Sequence, residues 1–177
     1  MNLAAQREQS ERRHTPKEAH VRVSSWFRKE PISWVDGRDA EMAEAVHQAQ
    51  STFQEFVSAL EEDSRRIVPM LDQALVKYAF PAAKSGVEVE HLFLANIEKK
   101  GDTLFGVVAS DPVYTDTVGE GERIEIDPSR VSDWLYVVNG AGVGGYTFKI
   151  LWSRFSEREK SRYADLPPFV WIKAADA

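Results

Sequence analysis

The spacing of apolar residues divides the chain into a helical front half and a strand-rich remainder. From Asp39 onward Met42, Val46, Ala49, Phe53, Phe56, Val57 and Leu60 recur at helical intervals and predict one long amphipathic helix. Asp36 or Asp39 can cap its start, and Pro69 prevents a long continuation. Residues 75–80 (LVKYAF) alternate up to Pro81 and predict a strand. Residues 87–97 alternate more strongly, with Val87, Val89, His91, Phe93, Ala95 and Ile97 on one face. Glu88, Glu90, Leu92, Leu94 and Asn96 fall on the other. A turn at Lys99 to Asp102 leads into a strand over 103–109. A Pro/Asp/Thr/Gly-rich loop covers 110–121, and a short strand covers 123–126.

The stretch Val131 to Trp152 (VSDWLYVVNGAGVGGYTFKILW) organises the rest. Two apolar runs separated by a Gly/Asn cluster predict a β-hairpin, with Tyr146 to Leu151 as its second strand. Ser156 with Glu159 three residues later is a capping box and predicts a helix over 157–164. Pro167 and Pro168 stop it, and Phe169 to Ile172 form a last edge segment or dock on the body. The order predicts an α+β fold. One long N-terminal helix and a short C-terminal helix pack on an antiparallel sheet of five to six strands.

Length and composition change this picture only at the front. Residues 1–35 are expected to be a flexible or loosely docked arm, and residues 36–177 a single domain. Trp26, Phe27 and Trp34 either anchor the arm or form a docking patch. The formal net charge is -6, and residues 1–36 hold seven Lys/Arg against five Asp/Glu, leaving -8 for residues 37–177. That balance argues against nucleic-acid binding, which needs clustered cations. No apolar run approaches the roughly 20 residues of a membrane span, and a cytoplasmic location is expected. With no cysteine and four scattered histidines, disulfides and transition-metal chemistry are not expected.

Three sets of residues invite chemistry. Gly140, Gly142 and Gly145 satisfy G-x-G-x-x-G, but a dinucleotide site needs a helix after the glycines, and a strand is predicted there. Glu90 and Asp133 could pair as the carboxylates of a hydrolase-like enzyme if the fold brings them together. Asp133 and Trp134 could instead be a turn latch and a core aromatic. Alternatively, a recognition surface is expected around Asp133, Trp134, Tyr136, Asn139, Gly142, Gly144 and Tyr146, since Trp and Tyr concentrate binding energy.

The order of motifs resembles the bacterial domain of unknown function 2314, or YegJ-like, family. Ala45, Ala49 and Phe53 match its helix, Val76-Lys77 its first strand, and Glu90 to Leu94 its E-H-x-W-L segment, with Phe93 in place of Trp. Gly106 to Pro112, Gly121 to Ile124, Val131 to Tyr136 and Gly144 to Thr147 follow in order, then Leu166 to Phe169 with a second proline. The resemblance runs from about Ala40 to Phe169 and implies a small bacterial α+β domain, with no activity or cofactor attached. The reading is a non-catalytic binding protein with a protein partner, for example an acidic immunity-type inhibitor of a toxin. A carboxylate-dependent hydrolase or a small-molecule-binding domain is the alternative.

Overall fold

The computed structural model describes residues 39–82 and 86–175. The arm expected over residues 1–35, with Trp26, Phe27 and Trp34, lies outside the described residues. The centre is a six-stranded antiparallel sheet in the order β4-β3-β2-β1-β5-β6. Its strands are β1 (Leu71–Pro81), β2 (Val89–Lys100), β3 (Thr103–Val108), β4 (Arg123–Glu125), β5 (Val131–Val138) and β6 (Ala141–Gly144). Helices α1 (Ala40–Ser51) and α2 (Phe53–Ser64) supply one side. The other takes side chains of α3 (Tyr146–Arg154), α4 (Glu157–Tyr163) and α5 (Phe169–Ala175). The fold is α+β.

Both faces of the sheet are covered, which is why β1, β2 and β5 bury consecutive residues rather than alternate ones. Ala49, Phe53 and Phe56 meet Val76, Tyr78, Leu94 and Trp134 on the first face. Leu75, Phe93 and Ala95 meet Phe148, Phe169 and Ile172 on the second.

The expected long helix is two helices. Asp39 caps the first, its Oδ1 accepting from the Met42 N–H at 3.2 Å. At Thr52 the hydroxyl donates to the Gln48 carbonyl at 2.7 Å, and the backbone leaves helical geometry at φ -99°, ψ 3°. Such back-bonding bends helices. The apolar stripe nevertheless continues across the joint, with Ala49, Phe53, Phe56 and Val57 all buried.

One further expectation is corrected: Tyr146 to Leu151 is helix, not strand. Of the two placements expected for Phe169 to Ile172, docking on the body holds, as part of α5 in the second core. The alternation of β2 also breaks. Asn96 takes φ +50° in a bulge, between the pairs Ala95–Val107 and Glu98–Phe105. The extra residue turns Ile97 away from Phe93 and onto the first core. There it crowds Gly106, where a Cβ would come within 2.9 Å of Leu94 Cβ and 3.0 Å of Ile97 Cδ1.

The bulge yields a direct test. Asn96→Val, which puts a β-branched side chain at positive φ, is expected to cost about 1–2 kcal/mol in urea unfolding. Asn96→Gly should stay within about 0.5 kcal/mol of the parent. Equal effects of the two substitutions would remove the left-handed bulge from the account.

Candidate functional site

The conspicuous polar residues converge where β5, β6 and α3 meet. Asn139 and Gly140, at φ +51° and +77°, make a two-residue turn, so the hairpin closes sooner than the glycine cluster suggested. Gly144 then takes φ +90° directly beneath Trp134. A Cβ there would sit 2.3 Å from the Trp134 carbonyl oxygen. Gly145, also left-handed, begins α3.

The first turn of that helix points its N–H groups at Asp133. Asp133 Oδ1 accepts from the Trp134 N–H at 2.8 Å and the Tyr146 N–H at 3.1 Å. Its Oδ2 accepts from the Thr147 N–H at 2.8 Å and the Thr147 hydroxyl at 2.6 Å. A helix does follow the glycines, contrary to expectation, but the anion at its N-terminus is this chain's own carboxylate. The place a pyrophosphate would take is filled.

Trp134 points to the opposite face and is 1% exposed. Its indole N–H donates to the Ala49 carbonyl at 2.9 Å, and its ring lies 5.6 Å from Phe56 and 6.0 Å from Tyr136. The expected recognition surface therefore does not form one exposed face. Asp133, Trp134, Gly142 and Gly144 are buried, Tyr136 and Tyr146 half-buried, and only Asn139 stands fully in solvent. The strand carries alternate side chains into two cores, which splits the set.

On the Asp133 side of the sheet lie Lys77, His91 and Ser132. The register passes from Lys77–Asp133 to Tyr78–Val131, leaving Ser132 as the extra residue of a bulge. Its hydroxyl donates to the Lys77 carbonyl at 3.1 Å and lies 2.8 Å from His91 Nδ1. Because the carbonyl can only accept, the Ser132 proton goes there, and His91 Nδ1–H donates to Ser132 Oγ. That tautomer cannot deprotonate Ser132 through Nδ1. The pair has the separation of a nucleophile and its base but the wrong proton order.

Burial sets the charge states here. It pushes the His91 imidazole down to about 4, helped by the Lys77 charge, so the ring is neutral at pH 7. Burial also lowers the Lys77 amine, against the pull of Asp133. The Lys77 Nζ lies 5.2 Å from the centroid of the Phe148 ring. Burial raises the Asp133 carboxyl, opposed by the Thr147 hydroxyl and then by Lys77.

Glu90 serves elsewhere. It is 4% exposed, and its carboxylate accepts from the Val113, Tyr114 and Thr115 N–H groups at 2.9, 2.8 and 2.7 Å, pinning the 110–121 loop. Its neighbours Leu92 and Leu94 face the first core with Trp134, whereas Asp133 faces the second side. The two carboxylates expected to pair lie on opposite faces of the sheet and share no site. Among the described residues no group of three or more His, Asp and Glu is placed to hold a metal ion, and no helix is long and apolar enough to cross a membrane.

An open groove of about 480 Å³ runs between α1 and α3. Ala40, Ala45 and Ile150 supply apolar lining, with Glu41, Glu44 and Gln48 from α1 and Tyr146 and Lys149 from α3. The sequence reading named Tyr146 but missed the rest of this lining as a site, since the short alanines that leave the space look like ordinary helix positions.

Asp133→Ala strands two helix N–H groups and a hydroxyl in the core. It is expected to cost about 3–5 kcal/mol in chemical denaturation. A loss below about 1 kcal/mol would show that α3 does not depend on this carboxylate. His91 gives a pH test. Its folded value of about 4 lies below the ordinary 6.5, so the unfolded chain binds its proton first as pH falls. The stabilising contribution is complete above pH 6.5 and is lost on the way down to pH 4, by up to about 3 kcal/mol. His91→Gln should flatten the stability profile across that window, and an unchanged slope would contradict the assignment.

Comparison with known proteins places this architecture. The profile of a family described as "Uncharacterized protein conserved in bacteria" (DUF2314) matches residues 39–167. The chain is 30% identical over 133 residues to a Neisseria meningitidis serogroup B protein named, provisionally, as an ankyrin repeat protein; the match covers 75% of this chain and 53% of that protein. It is 29% identical over 70 residues to the uncharacterized protein YegJ of Escherichia coli K12, covering 40% of this chain and 46% of that one. The chain spans about half the length of these curated relatives. No solved structure matches it. The matched stretch holds the whole sheet and the Asp133 corner, and the chain belongs to this DUF2314 family of conserved bacterial proteins.

Proposed function

We propose that the chain is a non-catalytic protein-binding module that uses the groove between α1 and α3. The reading rests on that groove. It offers apolar floor from Ala40, Ala45 and Ile150, and its length follows two helices, the shape that receives an amphipathic helix. Glu44 stands on its wall without an ion-pair partner among the described residues. The -8 carried by residues 37–177 favours a basic partner, and an immunity-type inhibitor of a basic toxin is one such module.

The Neisseria relative adds support of another kind. Ankyrin repeats are helix pairs of about 33 residues stacked in series, and the sheet described here is not built that way. That relative's name as an ankyrin repeat protein agrees with a role in binding. The hydrolase alternative has lost its carboxylate pair.

Tagged protein should capture a basic partner from its native lysate. Glu44→Arg and Ala40→Trp, both at exposed positions, should each weaken capture at least about tenfold while leaving circular dichroism unchanged. Glu120→Arg, in the loop before β4, should bind like the parent. Parent-like capture by both groove variants would sink this reading.

A further inference from the structure

A second cavity lies at the far end of the first core, and one arginine distinguishes it. Asp127-Pro128-Ser129 makes a tight turn, in which the Asp127 carboxylate accepts from the Ser129 N–H at 2.9 Å. The turn delivers Arg130 to the start of β5. Its Nε–H and one Nη2–H donate to the Ala79 carbonyl at 3.0 and 2.6 Å. The guanidinium lies over Tyr78 and Phe80, 4.9 and 5.7 Å from the ring centroids. A side chain held by a backbone oxygen and two rings is fixed in direction before any ligand arrives.

Its bonding capacity is not exhausted. A guanidinium has five N–H donors, and two are spent on Ala79. Among the described residues no carboxylate lies within ion-pair distance of Arg130, although its charge, after the Ser129 hydrogen bonds, helps to hold the Asp127 carboxyl down, and three of its N–H groups remain to offer. It borders a cavity of about 360 Å³ walled by Tyr78, Phe80, Val118 and Ile124, with Thr117 and Glu125 at the exposed mouth. That volume is near the lower end for ligand pockets, which run from about 300 to 1,000 Å³.

We propose that this cavity binds a small monocarboxylate with a short branched apolar tail. The carboxylate takes parallel N–H donors of Arg130, the geometry a guanidinium offers best. The tail covers the half-buried Ile124 and the edges of Tyr78, Phe80 and Val118 that border the cavity. A phosphate or other dianion fits poorly. Among the described residues the lining contains one cation, and Glu125 at its mouth and Asp127 in the adjoining turn repel a second negative charge. The site is separate from the α1–α3 groove and stands whether or not that groove binds a partner.

Isovalerate and its neutral isostere isovaleramide are the probes, titrated into the full chain at pH 7 and followed by NMR shifts and calorimetry. Isovalerate should bind saturably in the millimolar range or tighter, with the amide at least about tenfold weaker. Arg130→Lys, which keeps charge but loses the fork, should weaken isovalerate about tenfold. Because Arg130 also ties down Ala79, Thr117→Trp provides the independent variant, filling the mouth from an exposed position; it gives up the 2.8 Å contact between the Thr117 and Thr115 hydroxyls, so unchanged circular dichroism checks its fold. It should abolish binding. Equal binding of acid and amide, parent-like binding by Thr117→Trp, or no saturation up to about 20 mM would overturn the assignment.

Discussion

A carboxylate closed off from water must be given donors by the protein, and Asp133 receives four from its own strand and the first turn of α3. The requirement works in both directions. The N-terminus of α3 has N–H groups without intrahelical partners, and Gly145 supplies no capping side chain. Asp133 supplies it from across the hairpin. Strand and helix therefore fix one another, and the hairpin between them has to bring Gly144 against Trp134 for the contact to close.

From that corner α3 reaches both layers. Tyr146 leans edge-on to Trp134 in the first core, and Phe148 stacks on Phe93 in the second. Thr52, at the break between α1 and α2, has its hydroxyl 3.0 Å from that of Tyr146. The bend in the front helix and the start of α3 are thus joined at one point. The walls of the α1–α3 groove inherit their spacing from it. Arg154 at the end of α3 pairs with Asp39 and Glu41 at the start of α1 and closes the other end.

Much of this was legible from residue spacing. The helical stripe through Phe56, the strand through Phe93, the capping box at Ser156 and the loop over 110–121 all follow local rules that the structure keeps. The failures arise where a hydrogen bond or an inserted residue overrides the spacing rule. Tyr146 to Leu151 has strand-like composition, and it is helical because Asp133 satisfies its first turn from 13 and 14 residues away. Thr52 breaks its helix through a side-chain hydrogen bond that periodicity does not register. The bulges at Asn96 and Ser132 each insert a residue, and parity on the strand reverses past them. The candidate site was less legible still. Lys77 in LVKYAF and Glu90 in VEHLFL were the available signals, a charge within a run that the sheet buries on both faces.

Those buried charges and the surface ones divide the work. Glu90 is spent on the 110–121 loop and Asp133 on α3, and Ser132 ties His91 to the backbone of β1. Among the described residues no buried side-chain nitrogen or oxygen lacks a partner. Each group paired in this way already has the partner a substrate would have to displace. Chemistry left over for another molecule must come from groups whose capacity is not used internally. Glu44 on the α1–α3 groove and Arg130 beside the Tyr78–Phe80 cavity are in that position, each next to apolar surface that water leaves at a gain. The aromatic pair that looked like a recognition surface, Trp134 and Tyr136, is spent in the same way, since its rings stack 6.0 Å apart in the first core and leave no free face there for a partner.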